Sequence, residues 1–404
     1  MSLLHRLLIY RNLLEDNLVQ GVQNLLKALN EFNKQDLSSL QNQYSEITAS
    51  LLKFGFEKNI RSSLWKNYID HLILQDENIF SLSCEKDTNN IDSNVKEALK
   101  RDLVVLNEFS CLDWDAIASK IGIEPLSFLS TTIEKKTINI DETILKLSDY
   151  YYKNGCGIMG KYKAFRWDKG LKGIENPDSV RLADLIGYEE QKKTLIENTE
   201  AFLQGKKANN ILLFGDRGTG KSSSVKALLN EYAHRGLRLI EVPKHQLIDF
   251  NKIISLIKNR NRYFIIFMDD LSFEEFETDY KHMKAAIEGG IEKKPDNVLI
   301  YATSNRRHLI KETWSDRQNA DGEVHISDSI QEKISLADRF GISITYTSPN
   351  QKEYLEIVEG LAKKHGIDLP KEELQRKALQ WEMWHNGRSG RTAQQFIDYM
   401  LGQK

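Results

Sequence analysis

The sequence is poor in the residues that interrupt or staple a chain. Six prolines in 404 residues leave room for long helices, since each proline removes a backbone donor and fixes φ. Three cysteines (Cys84, Cys111 and Cys156) are scattered, odd in number and without C-x-x-C spacing. That pattern excludes a disulfide scaffold and fits free thiols in a reducing compartment. The net charge of -2 excludes the global basic excess that advertises nucleic-acid binding, and leaves only local patches open. No apolar run approaches the ~18–20 residues needed to span a bilayer. The apolar start from Met1 to Ile9 is short, is followed by Arg11, Glu15 and Asp16, and has no small-residue cleavage site, so it reads as a helix rather than a signal peptide. His365, His385 and the other histidines show no metal-ligand spacing. A cytoplasmic protein without a membrane segment is expected.

What is present is a packed chain of more than one domain: 40% hydrophobic and 28% charged residues over a length too great for one ordinary core. Residues 1–153 read as a helical N-terminal domain. Leu3, Leu4, Leu7, Leu8, Leu13, Leu14 and Val19 mark an apolar face, continued by Leu25, Leu26, Leu29 and Phe32. Asp92 or Ser93 is placed to cap a helix carrying Val95, Leu99, Leu103 and Leu106, and Asp113 another through Ile117 and Ile121. No chemical constellation stands out in this region. Residues 154–179, with six glycines or prolines at Gly155, Gly157, Gly160, Gly170, Gly173 and Pro177, read as a linker. Within it, Lys161 to Asp168 mixes basic and aromatic residues. Either Phe165 and Trp167 dock the linker on the next domain, or the segment contacts nucleic acid or a neighbouring subunit.

From Asp184 the text changes. Ile211 to Phe214, Leu237 to Val242, Tyr263 to Met268, Val298 to Ala302 and Ile342 to Tyr346 are short β-branched or aromatic runs, separated by helical lengths. Such alternation predicts a parallel five-stranded sheet with helices on both faces, an α/β domain over 180–348. Three helical segments follow: Gln351 to His365, Lys371 to Trp384 and Arg391 to Leu401, a small helical lid domain over 349–404. Trp381, Trp384 and Phe396 read as the core of that lid.

Gly215-Asp-Arg-Gly-Thr-Gly-Lys221-Ser222 fits G-x-x-x-x-G-K-[ST] at every fixed position, a match that chance produces in roughly one such chain per hundred. It lies between a strand and a helix, as a phosphate loop must. Glycines at 215, 218 and 220 let backbone N–H groups turn inward around phosphate oxygens, and the following helix adds its positive end. Arg217, Thr219 and Ser223 complete the cradle. Lys221 would neutralise the β- and γ-phosphates, and Ser222 would offer a hydroxyl to Mg²⁺. The strand from Tyr263 ends in Asp269 and Asp270. After a phosphate loop, the first carboxylate is placed to hold Mg²⁺ and the second to orient the attacking water. ATP and Mg²⁺ are the expected cofactors.

These motifs, with three later ones, resemble the AAA+ ATPases from Asp184 onward, a little over half the chain. The resemblance is greatest to a bacterial branch filed as a family of unknown function, with initiator and helicase-loader ATPases more distant. It implies that Leu185-Ile186-Gly187-Tyr188 contacts adenine, that Asn305 in Thr303-Ser304-Asn305 hydrogen-bonds the attacking water, and that Arg339 in Leu336-Ala-Asp-Arg339-Phe-Gly341 reaches into a neighbouring subunit. Arg391, with Arg388 as rival, would be the lid arginine that meets the γ-phosphate. Two departures stand out. Asp270 replaces the usual Glu and is shorter by one C–C bond, about 1.5 Å, so that either hydrolysis is slow or Glu274 helps from the loop Leu271–Phe276. Asp316 to Ser335 is a polar stretch with no role assigned beyond a loop.

The expected protein is a homo-oligomeric Mg²⁺-dependent ATPase acting on an unidentified macromolecule. A nucleotide-gated switch with little turnover is kept open by Asp270. A nucleic-acid loader is kept open by the family likeness, the basic aromatic linker and Arg306-Arg307-His308. A small-molecule kinase is disfavoured by Arg339 and the lid.

Overall fold

The computed structural model describes residues 3–31, 37–130, 139–272, 283, 287, 294–305, 339–385 and 387–403. Glu274, Arg306-Arg307-His308 and the stretch from Asp316 to Ser335 lie outside the described residues. The chain divides into two compact units, Met1–Lys161 and Tyr162–Lys404. Among the described residues, no helix is long and apolar enough to cross a membrane.

The first unit is helical. Its described helices include α1 (Asn17–Asn30), α2 (Leu37–Lys58), α3 (Leu64–Gln75), α4 (Ile79–Lys86), α5 (Ser93–Ser110), α6 (Trp114–Lys120), α7 (Ile140–Asn154) and α8 (Gly157–Lys161). Their starts follow the expected chemistry. The Asp92 side chain accepts from the amides of Asn94 and Val95 at the head of α5, and Asp113 accepts from Ala116 at the head of α6, each satisfying a donor the helix leaves unpaired. One apolar core joins these helices, with Trp65, Trp114, Tyr44 and Phe80 almost fully enclosed.

The second unit is built on a seven-stranded sheet in the order β2-β1-β4-β5-β6-β3-β7. Five strands lie where the apolar runs placed them: β3 (Ile211–Gly215), β4 (Leu237–Glu241), β5 (Tyr263–Met268), β6 (Val298–Ser304) and β7 (Ile342–Tyr346), all paired in parallel. The expectation of five strands is corrected by two more, β1 (Ala164–Trp167) and β2 (Leu171–Ile174), from within the stretch read as linker. They form an antiparallel hairpin, and β1 pairs in parallel with β4.

The reason is local. The hairpin strands are four residues each, with one exposed arginine between buried Phe165 and Trp167, too short for a convincing alternation. The Trp167 indole donates to Asp249 at 3.2 Å. Two of the hairpin's cations are paired as well: Arg166 forks onto Glu241 at 3.0 Å, and Lys172 pairs with Asp168 at 2.5 Å. Phe165 and Trp167 are therefore core residues of the sheet edge, not a base-stacking platform.

Helices α9 (Glu189–Leu203), α10 (Lys221–Tyr232) and α11 (Phe250–Ile257) connect the strands. Three more, α12 (Gln351–Lys364), α13 (Lys371–Trp384) and α14 (Gly390–Gly402), share their own apolar core around Tyr354, Val358, Ala378, Phe396 and Ile397. Ile186 packs against that core from the segment before α9. Its approach is close: a Cβ at Gly360 of α12 would stand 3.1 Å from Ile186 Cγ1 and nearer still to its Cδ1, so a larger residue there must push the Ile186 side chain aside.

Candidate functional site

All parallel strands of the sheet point their C-terminal ends the same way, and at that edge a cleft of about 1060 Å³ opens between the sheet, the segment around residue 185 and helices α12 and α14. Open α/β sheets bind ligands at this edge. Its floor is the loop between β3 and α10. Gly215, Gly218 and Gly220 all have positive φ (131°, 76° and 90°), a backbone that side chains resist. Gly215 and Asp216 lie against β7, the Asp216 amide donating to Tyr346 O at 2.9 Å. Gly218 lies under the start of α14: an added Cβ would stand 2.9 Å from Ser389 Oγ and 3.1 Å from Arg391 Cβ. The Arg391 amide also donates to Gly218 O at 3.1 Å. The loop is thus clamped from two sides.

The sequence-predicted residues divide by position. Arg217, Gly218, Thr219, Gly220, Lys221, Ser222, Ser223, Asp269, Asp270, Asn305, Arg391 and Ile186 all line the cleft. Gly215 shapes the loop from behind. Gly187, with φ of 81°, makes the turn that sets Tyr188 at the head of α9; Tyr188 stacks toward the Tyr346 ring at 5.1 Å and its hydroxyl donates to Thr347 O. Arg388 points elsewhere, its Nε donating to both carboxylate oxygens of Glu382 at 3.0 Å. Arg339 lies outside the cleft. It precedes β7, whose Ile342 is level with Ile211 of β3, at the N-terminal edge of the sheet. The two edges are about five residues apart, roughly 16 Å along a strand.

Chemistry concentrates on one wall. Lys221 is the first residue of α10, largely buried, and its ammonium donates to Gly215 O at 2.9 Å, Asp216 O at 2.6 Å and Asn305 Oδ1 at 3.3 Å. Burial pulls its pKa below the ordinary lysine value; Asp216, Asp270 and Asp269 oppose that pull, and Arg391 adds to it. The Ser222 hydroxyl donates to Asp269 Oδ1 at 2.5 Å. A hydroxyl beside a single carboxylate is the sparse oxygen set that suits Mg²⁺, which keeps most of its shell for water and phosphate. The residues therefore fit a nucleotide phosphate chain with its metal. Asp270 stands in the left-handed region at φ 51°, and its Oδ1 accepts from Asn305 Nδ2 at 2.6 Å.

Several participants are not among the predicted site residues. Asp216 accepts from the Ser348 amide at 2.7 Å, a bond that holds its carboxyl below the usual carboxylate range. This ties the phosphate loop to the chain leading into α12. Thr303 sits between the two acids. Lys364 of α12 pairs with Asp184 at 2.7 Å across the mouth of the cleft. Gln394 lines the cleft three residues after Arg391, and that spacing on one helix face is the signal that could have revealed it. The other three depend on tertiary contacts that no local pattern encodes.

A family described as "Protein of unknown function (DUF815)" matches residues 160–404, more than half of the chain. Over 66 residues the chain is 40% identical to the Replication factor C large subunit of Methanococcus maripaludis (strain C6 / ATCC BAA-1332), a stretch that is 16% of this chain and 14% of that protein. It is also similar to solved structures of RuvB from Thermotoga maritima. A point mutant gives a TM-score of 0.39 at 16% identity, over 55% of this chain and 65% of that one. The Holliday junction branch migration motor gives 0.35 at 14% identity, over 55% and 72%. The chain spans about one seventh of the curated relative's length and about two thirds of the RuvB chains. It belongs to the DUF815 family, and the residues that match include the glycine loop from Gly215 to Ser222 and both strand-end acids.

Proposed function

We propose that this protein hydrolyses ATP with Mg²⁺, as a homo-oligomer, to remodel a macromolecule. The observation that carries the reading is the meeting, in one cleft, of a glycine loop, its lysine, and a serine hydroxyl bonded to a strand-end carboxylate. Lys221 would exchange its carbonyl partners for β- and γ-phosphate oxygens. Ser222 and Asp269 would hold Mg²⁺, which supplies charge neutralisation at the phosphates. Asp270 would take up a proton from water as its oxygen attacks the γ-phosphorus and the bond to ADP breaks; Asn305 fixes that carboxylate now and would assist there. Ile186, with Leu185 and Leu361, gives the cleft an apolar end suited to the adenine ring. Arg391 would meet the γ-phosphate from α14.

Arg339, at the opposite edge of its own sheet, has a catalytic role only if it completes a neighbour's cleft. The unit 1–161 would then receive the motion of the last three helices against the sheet. The free cysteines accord with a reducing cytoplasm. A nucleotide-gated switch is the second reading, favoured by the short Asp270 carboxylate already engaged by Asn305.

The test is phosphate release from ATP across protein concentrations, with Arg339→Ala alongside. Specific activity should rise with concentration and fall about 10³-fold in the variant. ATP binding with no turnover at any concentration would select the switch.

A further inference from the structure

We infer that Thr303 is a positioning residue, which sets both strand-end carboxylates through a single hydroxyl. Thr303 is the sixth residue of β6, 2% exposed, in a strand buried throughout. A buried threonine in a strand is ordinarily packing. This one is placed differently. Its Oγ1 accepts the Asp270 amide proton at 2.9 Å and donates to Asp269 Oδ1 at 2.6 Å. The direction is fixed: an amide can only donate and an ionised carboxylate can only accept, so the hydroxyl proton belongs to Asp269.

Two further contacts come from the same strand end. Thr303 O accepts from the Leu271 amide at 2.7 Å, and Asn305 Nδ2 donates to Asp270 Oδ1 at 2.6 Å. Together they bracket Asp270, one of the few described non-glycine residues with positive φ, a conformation that surroundings must hold in place. Asp269 Oδ1 has a second hydroxyl partner in Ser222. In the proposed reaction Ser222 is claimed by the metal, whereas the Thr303 hydroxyl has only the acids to serve. It is the donor that keeps the metal-binding carboxylate aimed while the adjoining amide, held by the same oxygen, keeps the water-orienting carboxylate turned toward the cleft. This inference rests on the proposed ATPase reading for the roles of the two acids.

The test compares Thr303→Val, which preserves shape and removes the hydroxyl, with Thr303→Ser, which preserves the hydroxyl. Three quantities are read: kcat, the Mg²⁺ concentration that half-saturates ATP binding, and ATP affinity in EDTA. Thr303→Val should lower kcat about 10–100-fold, since a misplacement of about 1 Å in a catalytic group has that effect. The Mg²⁺ midpoint should rise about fivefold or more. Affinity in EDTA should stay within about twofold, because phosphates and base are held by other groups. Thr303→Ser should recover both lost quantities.

A general loss of folded protein would scale the signal without moving the Mg²⁺ midpoint. An unchanged midpoint and kcat in Thr303→Val overturn the inference; equal damage in Thr303→Ser overturns it too, by assigning the effect to the methyl group. If the unmodified protein binds ATP without hydrolysing it, the hydrolytic reading fails alone, and the Mg²⁺ midpoint still decides for or against Thr303. If Thr303→Val does not fold, Thr303→Cys, near in shape and a weak donor, is read on the same titration, with the same shift expected.

Discussion

The two compact units each hold a conspicuous set of bonded polar side chains, and the two sets face different things. In 1–161, such groups are turned on the chain itself. Asp102, fully enclosed, accepts the consecutive amides of Leu8, Ile9 and Tyr10 at 2.9, 2.7 and 3.0 Å. The hydroxyl of Tyr10 meets that of Tyr151 at 3.3 Å, and Glu85 accepts from the Cys156 amide at 3.2 Å. Burial drives the Tyr10 and Tyr151 hydroxyls far above the ordinary tyrosine pKa, so both stay neutral donors. In 162–404, Lys221, Ser222, Asp269, Asp270, Asn305 and Arg391 instead converge on a cleft. A perturbed or enclosed polar group is therefore not by itself a sign of chemistry. What separates the two cases is whether the groups aim at one another's backbone or at shared space.

That contrast can be broken by deletion. Asp102→Ala orphans three amide donors and should destabilise the protein by roughly 3–5 kcal/mol, while ATP affinity of the remaining folded protein stays unchanged. Denaturant unfolding beside nucleotide binding separates the two effects. A large loss of affinity would mean that the first unit is coupled to the cleft.

In the second unit the reverse pattern is expected, with function lost before fold. Gly218→Ala sets a Cβ 2.9 Å from Ser389 Oγ on a backbone with φ of 76°, so the phosphate loop and α14 must part. ATP affinity should fall about tenfold, and stability by only about 1–2 kcal/mol. Wild-type affinity in this variant would show that the clamp between loop and α14 is dispensable.

The smallest effect is a pH dependence. Lys221 titrates below the usual lysine value of 10.5 because burial disfavours its charge. Its ammonium therefore costs folding free energy below the folded pKa, and the cost vanishes as pH rises past the unfolded one. Phosphate favours the charged form, so ATP affinity should be flat near pH 7 and decline at a pH below the ordinary lysine value. Affinity constant up to that value would contradict the burial of a titrating Lys221.

How much of this was legible in the sequence follows from how local each feature is. The five strands β3 to β7 were readable because each is a contiguous β-branched or aromatic run, and the phosphate loop because its glycines and lysine are fixed by spacing alone. The hairpin was not. Lys172 and Gly173 break its apolar pattern, and its pairing with β4 is a contact 70 or more residues away in sequence. Arg391 and Arg388 looked alike on paper; their difference lies in Glu382, which Arg388 meets across the turn between α13 and α14. Thr303 and Asp216 act through bonds to β5 and to the chain after β7, which exist only once the sheet is assembled. Arg339 was legible as a motif, but its place at the far edge of the sheet required the register of β7 on β3.

The central claim is that the cleft at the strand ends binds the phosphates of ATP through Lys221. Calorimetric titration of the protein with ATP and Mg²⁺, beside Lys221→Ala, tests it most directly. Loss of the charge-assisted contacts should weaken binding by about 3–4 kcal/mol, on the order of 10²–10³-fold in Kd, with no loss of folded protein. Equal affinity in the two proteins would contradict the phosphate assignment and the reading built on it.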